Sequence, residues 1–246
     1  MVGLALANCF LMLGLLLSLL AVSAYQNYVT VGDAVDREAS ALAAFATDSV
    51  SYPQPYRATL ISGLGAYIKA TVELDWPELQ HGRIPMAGTN ALMGISKALW
   101  SFEPVTENQK ILQTRSLQRL NDVVEMRRSR VSLVQLGLPP VLWWVVGFGV
   151  LMNLCLIWVQ DMEIHVHYIL GALLSLSLGS VVFVTAVLEN PFRGQSSVRP
   201  ESIQNIAALV QTMARDICET AAPPAPAAAL GAAGGCADRI SKDISD

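Results

Sequence analysis

Two apolar runs dominate the pattern along the chain. Val141–Val159 and Ile164–Leu188 are separated only by Gln160-Asp161-Met162-Glu163. A helix rises about 1.5 Å per residue, so roughly 20 apolar residues cross about 30 Å of hydrocarbon, and each run comes close to that length or exceeds it. The pattern predicts a membrane hairpin. A third run, Leu4–Ala24, has no charged residue and only Asn8, Ser18 and Ser23 as polar side chains. Val22-Ser23-Ala24 resembles a small-residue cleavage site, but no Lys or Arg precedes the run and the run is longer than a usual signal core. A retained transmembrane helix is favoured, and a cleaved secretory signal is the alternative.

Between the first run and the hairpin the pattern is amphipathic and helical. Val31, Val35, Ala39, Leu42 and Phe45 recur at helical spacing, so the first helix continues out of the membrane until Tyr52-Pro53-Gln54-Pro55 stops it. A second helix is expected over Tyr56–Trp76, with Leu60, Leu64, Tyr67, Ile68 and Val72 on one face and Pro77 ending it. A third spans Ala87–Ser101. Pro104 opens a fourth that runs to about Leu136, where Pro139-Pro140 breaks it. Its apolar stripe reads Leu117, Leu120, Val124, Val131 and Val134, interrupted by Arg127-Arg128. Beyond the hairpin, Ile203, Ile206, Val210, Met213 and Ile217 form a short heptad-like seam that should pack on the central domain or on a neighbouring subunit.

These elements give an all-α integral membrane protein with three transmembrane helices and a cytoplasmic helical domain. The expected divisions are residues 1–24 (first membrane helix), 25–138 (cytoplasmic helical domain), 139–160 (second membrane helix), 161–163 (outer hairpin loop) and 164–188 (third membrane helix). Residues 189–220 form a cytoplasmic turn and amphipathic helix, and residues 221–246 a flexible Ala/Pro/Gly-rich tail. Arg115, Arg119, Arg127, Arg128 and Arg130 precede the hairpin and Arg193 and Arg199 follow it, whereas its tip carries only Asp161 and Glu163. The positive-inside rule therefore places the central domain and C-terminus in the cytoplasm and the N-terminus outside.

Composition agrees with a bilayer as the main partner: 53% of the residues are hydrophobic and 15% charged, with mean hydropathy +0.44. A net charge of −4 without any basic block gives no footprint for nucleic acid. Cys9 and Cys155 fall in apolar helices and Cys218 and Cys236 near or within the tail, so no disulfide framework emerges. No Walker loop, GxGxxG, HExxH or GxSxG is present, which points away from an enzyme and from a bound cofactor. Asp161, Glu163, His165 and His167 share a side only in an extended segment, and on a helix they diverge. They are read as water-boundary residues rather than as a metal site.

Within the membrane runs, Gly14 with Ser18, and Gly171, Ser175 and Gly179, lie four apart and mark helix-packing faces. Asn153, Ser177 and Ser180 are candidates to line a polar path, Asn153 because an unpaired amide in hydrocarbon costs several kcal/mol. Glu38, Arg127 and Arg128 are candidates for a cytoplasmic vestibule. The commoner role of Arg127, Arg128 and Arg130 is anchoring at anionic headgroups.

Several of these residues carry a resemblance. Asp36-Arg37-Glu38-Ala39-Ser40-Ala41-Leu42, Tyr67 with Glu73-Leu74-Asp75-Trp76, the Arg127/Arg128/Arg130 cluster, Leu138-Pro139-Pro140-Val141-Leu142-Trp143, and Leu188-Glu189-Asn190-Pro191-Phe192-Arg193-Gly194 with Val198-Arg199-Pro200-Glu201 together resemble the bacterial bestrophin-like membrane family over Leu4–Val210. That family is a domain of unknown function, distantly similar to bestrophin anion channels. Pro191, Phe192 and Gly194 correspond to its turn motif, here preceded by Glu189-Asn190 where an aspartate is common. Members often carry a further membrane helix upstream, so three spans leave a four-helix topology incomplete. The resemblance implies a homo-oligomeric ion channel in a bacterial inner membrane, an anion channel by extension. The alternative is a non-conducting scaffold or accessory subunit of a larger membrane complex, to which the scarcity of intramembrane charge points.

Overall fold

The computed structural model describes residues 2–133, 139–159, 163–189, 192 and 198–221. Among the described residues all regular structure is helical: α1 (Val2–Val50), α2 (Tyr56–Lys69), a π-helical stretch (Ala70–Asp75), α3 (Trp76–Gln80), α4 (Ala87–Trp100), α5 (Glu107–Leu133), α6 (Pro140–Trp158), α7 (Ile164–Glu189) and α8 (Glu201–Ala221). The tail beyond Ala221 and residues Asp161 and Met162 of the hairpin loop lie outside the described residues. The chain divides into two compact units, residues 1–31 with 136–198, and residues 32–135 with 199–246.

The first unit contains the start of α1 together with α6 and α7. Ala7–Val50, Pro140–Trp158 and Ile164–Glu189 contain helix long and apolar enough to cross a bilayer. Leu13, Leu17 and Leu20 of α1 pack against Val146 of α6, with Leu16, Leu142, Val150, Leu178 and Val182 around them. Gly149 permits that approach: a Cβ there would stand 2.7 Å from Leu13 Cδ1. Most other large apolar side chains face outward, among them Leu15, Leu19, Trp144, Phe148 and Leu176. Such faces suit lipid.

The second unit is a helical bundle with a dense core. α1 is one helix of 49 residues, about 73 Å long at 1.5 Å per residue. Its later turns bury Val31, Val35, Ala39, Leu42 and Phe45 along the expected stripe. Beyond Pro53 the chain turns back into α2, and Tyr52 and Tyr56 both set their ring edges against Phe102, with centroids 5.0 Å apart in each pair. α8 packs on α2 through Ile203, Val210, Ala214 and Ile217, and Ser202 donates a 2.5 Å hydrogen bond to Asp36 of α1.

Three details depart from the sequence reading. Pro77 does not end the second helix: the helix widens to π after Lys69 and resumes as α3 to Gln80, with Pro77 in the first turn of α3, where its missing N–H is tolerated. The stop comes at Gly82, whose φ of 74° is left-handed. Gly82 N–H donates to Leu79 O and Arg83 N–H to Glu78 O, both at 2.9 Å, in a Schellman closure. Second, α5 begins after Thr106 rather than at Pro104. The Gln109 N–H donates to Thr106 Oγ1 at 3.3 Å while Gln109 Oε1 accepts from the Thr106 N–H, a capping box. Third, α5 turns a different stripe inward: Ser116, Leu120, Val123, Arg127, Arg130 and Leu133 are buried, while Val124 is exposed. The arginines belong to the inward face because carboxylates on other helices meet them there.

Candidate functional site

The α1 stripe carries an acid at its centre. Glu38 is three residues after Val35 and four before Leu42, so it points into the core, and it is wholly buried. A lone carboxylate there would be prohibitively costly to ionise. Arg130 of α5 answers it, Nε donating to Glu38 Oε2 at 2.5 Å and Nη2 to Oε1 at 3.2 Å. The Tyr67 hydroxyl on α2 donates to Oε1 at 2.5 Å. The Arg130 guanidinium also lies over the Trp76 ring, 5.3 Å from its centroid. Burial would lower the Arg130 pKa, but Glu38, through its charge and its hydrogen bonds, together with Tyr67 and Asp75 offsets it and holds the guanidinium above its ordinary range. Burial, reinforced by Glu38, pushes the Tyr67 phenol well above its usual value. Tyr67 therefore stays a neutral donor and Arg130 a cation.

A second buried pair lies beside the first. The π-helical stretch turns Thr71 and Asp75 inward; Asp75 accepts from Arg127 Nη2 at 2.8 Å. Arg127 Nη2 also donates to Pro85 O at 3.2 Å, and the Gly88 N–H at the start of α4 donates to Asp75 Oδ1 at 3.2 Å. Gly88 has to be glycine for this fit, because a Cβ would stand 2.5 Å from Asp75 Oδ2 and 3.0 Å from Arg127 Nε. The two pairs join α1, α2, α3, α4 and α5 around one charged centre.

The vestibule candidates are thereby separated. Glu38 and Arg127 are buried in ion pairs, and Arg128 alone is exposed. Arg127 and Arg130 are not on the surface, so headgroup anchoring is a role open only to Arg128 within that cluster. At the far end of α1, Asp48 receives Arg115 at 3.1 Å, a partly exposed contact.

The membrane-helix candidates also separate. Asn153 is buried, its Nδ2 donating to Gly149 O one turn back at 2.9 Å, and its Oδ1 has no hydrogen-bond partner among the described residues. Ser177 and Ser180 are exposed on α7, on the side turned away from Leu178, Val182 and Thr185. Ser180 Oγ donates to Ser177 O at 2.8 Å, bonding back to its own helix. Gly14, Ser18, Ser175 and Gly179 are exposed and Gly171 is half-buried, and a Cβ at any of the three glycines would meet nothing within 4 Å. Packing inside the chain uses Gly149 instead. His165 and His167 fall in the first turn of α7, and His167 sets its ring against Trp158 at 6.0 Å.

Of the turn motif, Phe192 is buried, while Pro191 and Gly194 lie outside the described residues. Just before it, Glu189 accepts a 2.8 Å hydrogen bond from Trp143 Nε1 and ties the end of α7 to the start of α6. That contact and the Gly88 seat had no signal in the pattern of apolar residues. Glu38 did have one, since it falls on the α1 stripe.

The bestrophin-like domain matches residues 1–203. The fold is similar to that of a bacterial bestrophin homologue from Klebsiella pneumoniae, solved in a point-mutated form, with a TM-score of 0.68 at 13% identity over 85% of this chain and 86% of that one. No curated protein matches. Six of the residues that carried the resemblance, Glu38, Tyr67, Asp75, Trp76, Arg127 and Arg130, are those that converge on the buried charged centre. With three helices among its described residues fit to cross a bilayer and a domain match over most of its length, the chain is a membrane protein that belongs to the bestrophin-like family.

Proposed function

We propose that several copies of this chain assemble into a ring in the bacterial inner membrane and conduct ions, anions in the first instance. The three helices fit to cross a bilayer among the described residues cannot enclose a conduit by themselves, so conduction requires neighbouring copies. The observation that carries the reading is the outer surface of α7. That helix buries only Thr185 among its described residues and turns Ser175, Ser177, Gly179 and Ser180 outward. Ser177 and Ser180 line the conduit, and the Gly171/Ser175/Gly179 and Gly14/Ser18 faces form contacts between copies, where small residues let helices approach closely. The burial of Asn153 within the chain supports placing the conduit face on α7 rather than on α6. Arg128, exposed and cationic, faces the cytoplasmic vestibule, with Glu38 and Arg127 holding the helices behind it.

The first segment is retained in the mature protein, a reading supported by Leu13, Leu17 and Leu20 packing against Val146. The helical unit and the C-terminus are cytoplasmic and the N-terminus is outside. Nothing in this reading assigns the protein a reaction or a cofactor.

The test is cysteine accessibility in proteoliposomes that pass current. Ser177→Cys and Ser180→Cys should react with water-soluble thiol reagents and the reaction should change the current. Current that persists while both positions stay unreactive refutes the assignment. A second reading, a non-conducting scaffold or accessory subunit, is favoured by one observation: Pro140–Trp158 contains no Asp, Glu, Lys or Arg, and Ile164–Glu189 only its terminal Glu189.

A further inference from the structure

The helical unit has an apolar groove of about 520 Å³ between the segment that precedes α4, α4 itself and the outer side of α5. Its walls include Ile84, Met86, Met93, Val124 and Val131. Four of these stand open: Ile84 is 60% exposed, Met86 63%, Met93 58% and Val124 45%. A contiguous apolar surface of this kind marks an interaction site. Its volume falls in the range of small-molecule sites, about 300–1,000 Å³. A bilayer surface is flat and does not enter a concave site.

Charge selects among the small molecules. Two arginines and no carboxylate line the groove. Arg127 is neutralised by Asp75, while Arg128 makes no ion pair among the described residues. Val124, Arg128 and Val131 are spaced four and three apart on α5, so the free cation sits on the groove-lining face with apolar side chains a turn away on either side. Met86 and Met93, unbranched and polarisable, adapt to a flexible chain.

We propose that this groove binds a single-chain anionic amphiphile, a long-chain carboxylate, with its head on Arg128 and its acyl chain along Ile84, Met86, Met93 and Val124. The assignment stands whether or not the protein conducts.

The test uses the full chain in zwitterionic nanodiscs, with its native cysteines replaced by serine and Met93→Cys as the reporter. Oleate at saturation should slow maleimide labelling at position 93 by about tenfold and leave a control, Glu107→Cys, unchanged. Oleyl alcohol should protect far less, and Arg128→Gln should erase the difference between the two. Met86→Cys serves as a second reporter and should behave in the same way. The proposal is overturned by any of three results: equal labelling with and without oleate, equal protection by the alcohol or at position 107, or a reporter already unreactive without oleate, as when a second copy covers the groove.

Discussion

The two units solve the same problem, polar side chains within apolar helices, in opposite ways. In the membrane unit the polar groups along the spans turn to their own helix: Asn153 bonds Gly149 O, Ser180 bonds Ser177 O and Thr185 bonds Val181 O, and a cross-helix bond, Trp143 to Glu189, stands where the end of α7 meets the start of α6. In the helical unit the buried charged groups reach across to other helices: Arg130 meets Glu38, and Arg127 meets Asp75. Self-bonded groups do not specify a neighbour, so pairing of the membrane helices rests on apolar packing such as that of Leu13 on Gly149 and Val146. Cross-bonded groups do specify one, and they fix how α1, α2, α3, α4 and α5 pack.

The largest effect is expected at the charged centre. Arg130→Met leaves Glu38 buried without its cation and should destabilise the protein by about 3–5 kcal/mol, whereas Glu38→Leu combined with Arg130→Met should recover most of that loss. Thermal unfolding of the full chain measures both. A single variant as stable as the double would mean that the pair does not organise the unit. Next comes Gly88→Ala, where the added methyl has to push apart Asp75 and Arg127. The expected cost is about 1–3 kcal/mol, and a neutral result would show that the seat yields.

Alkaline titration sharpens the comparison further. The folded Tyr67 keeps its proton above the ordinary value of 10.0, so above that pH the unfolded chain releases a proton that the folded chain retains. Stability should then fall with rising pH, by up to about 1.4 kcal/mol per unit. Tyr67→Phe should flatten this slope in a pH series of unfolding curves, and an unchanged slope would assign it to other groups. The smallest effect belongs to the membrane unit. Asn153→Leu removes an amide oxygen that has no partner and should change stability by less than about 1 kcal/mol or raise it slightly. A loss of several kcal/mol would show that Asn153 is bonded across helices in the assembled protein.

Much of the architecture was legible in the sequence because it rests on local pattern. The long apolar runs, the stop at Pro53 and Pro55, the extent of α4 and the seam of α8 all follow from spacing and from backbone chemistry. The inward stripe of α5 was not legible, since Arg127 and Arg130 read as solvent-facing until Asp75 and Glu38, distant in the chain, are brought to them. The capping box was within reach, because Thr106 and Gln109 have the required spacing, but Pro104 is the more conspicuous helix signal. The π-helical stretch left no trace in the pattern of apolar residues. Gly149 was hidden for another reason: small residues at spacing four mark where helices can approach, and only the partner, here Leu13, decides which glycine is used.

The measurement that bears most directly on the proposed assembly is the mass of the solubilised particle by native mass spectrometry, with co-purifying chains retained. The proposed assembly predicts one discrete homo-oligomer of several copies, the closed ring needed to surround a path. A single copy of this chain, alone or bound to different proteins, would contradict it.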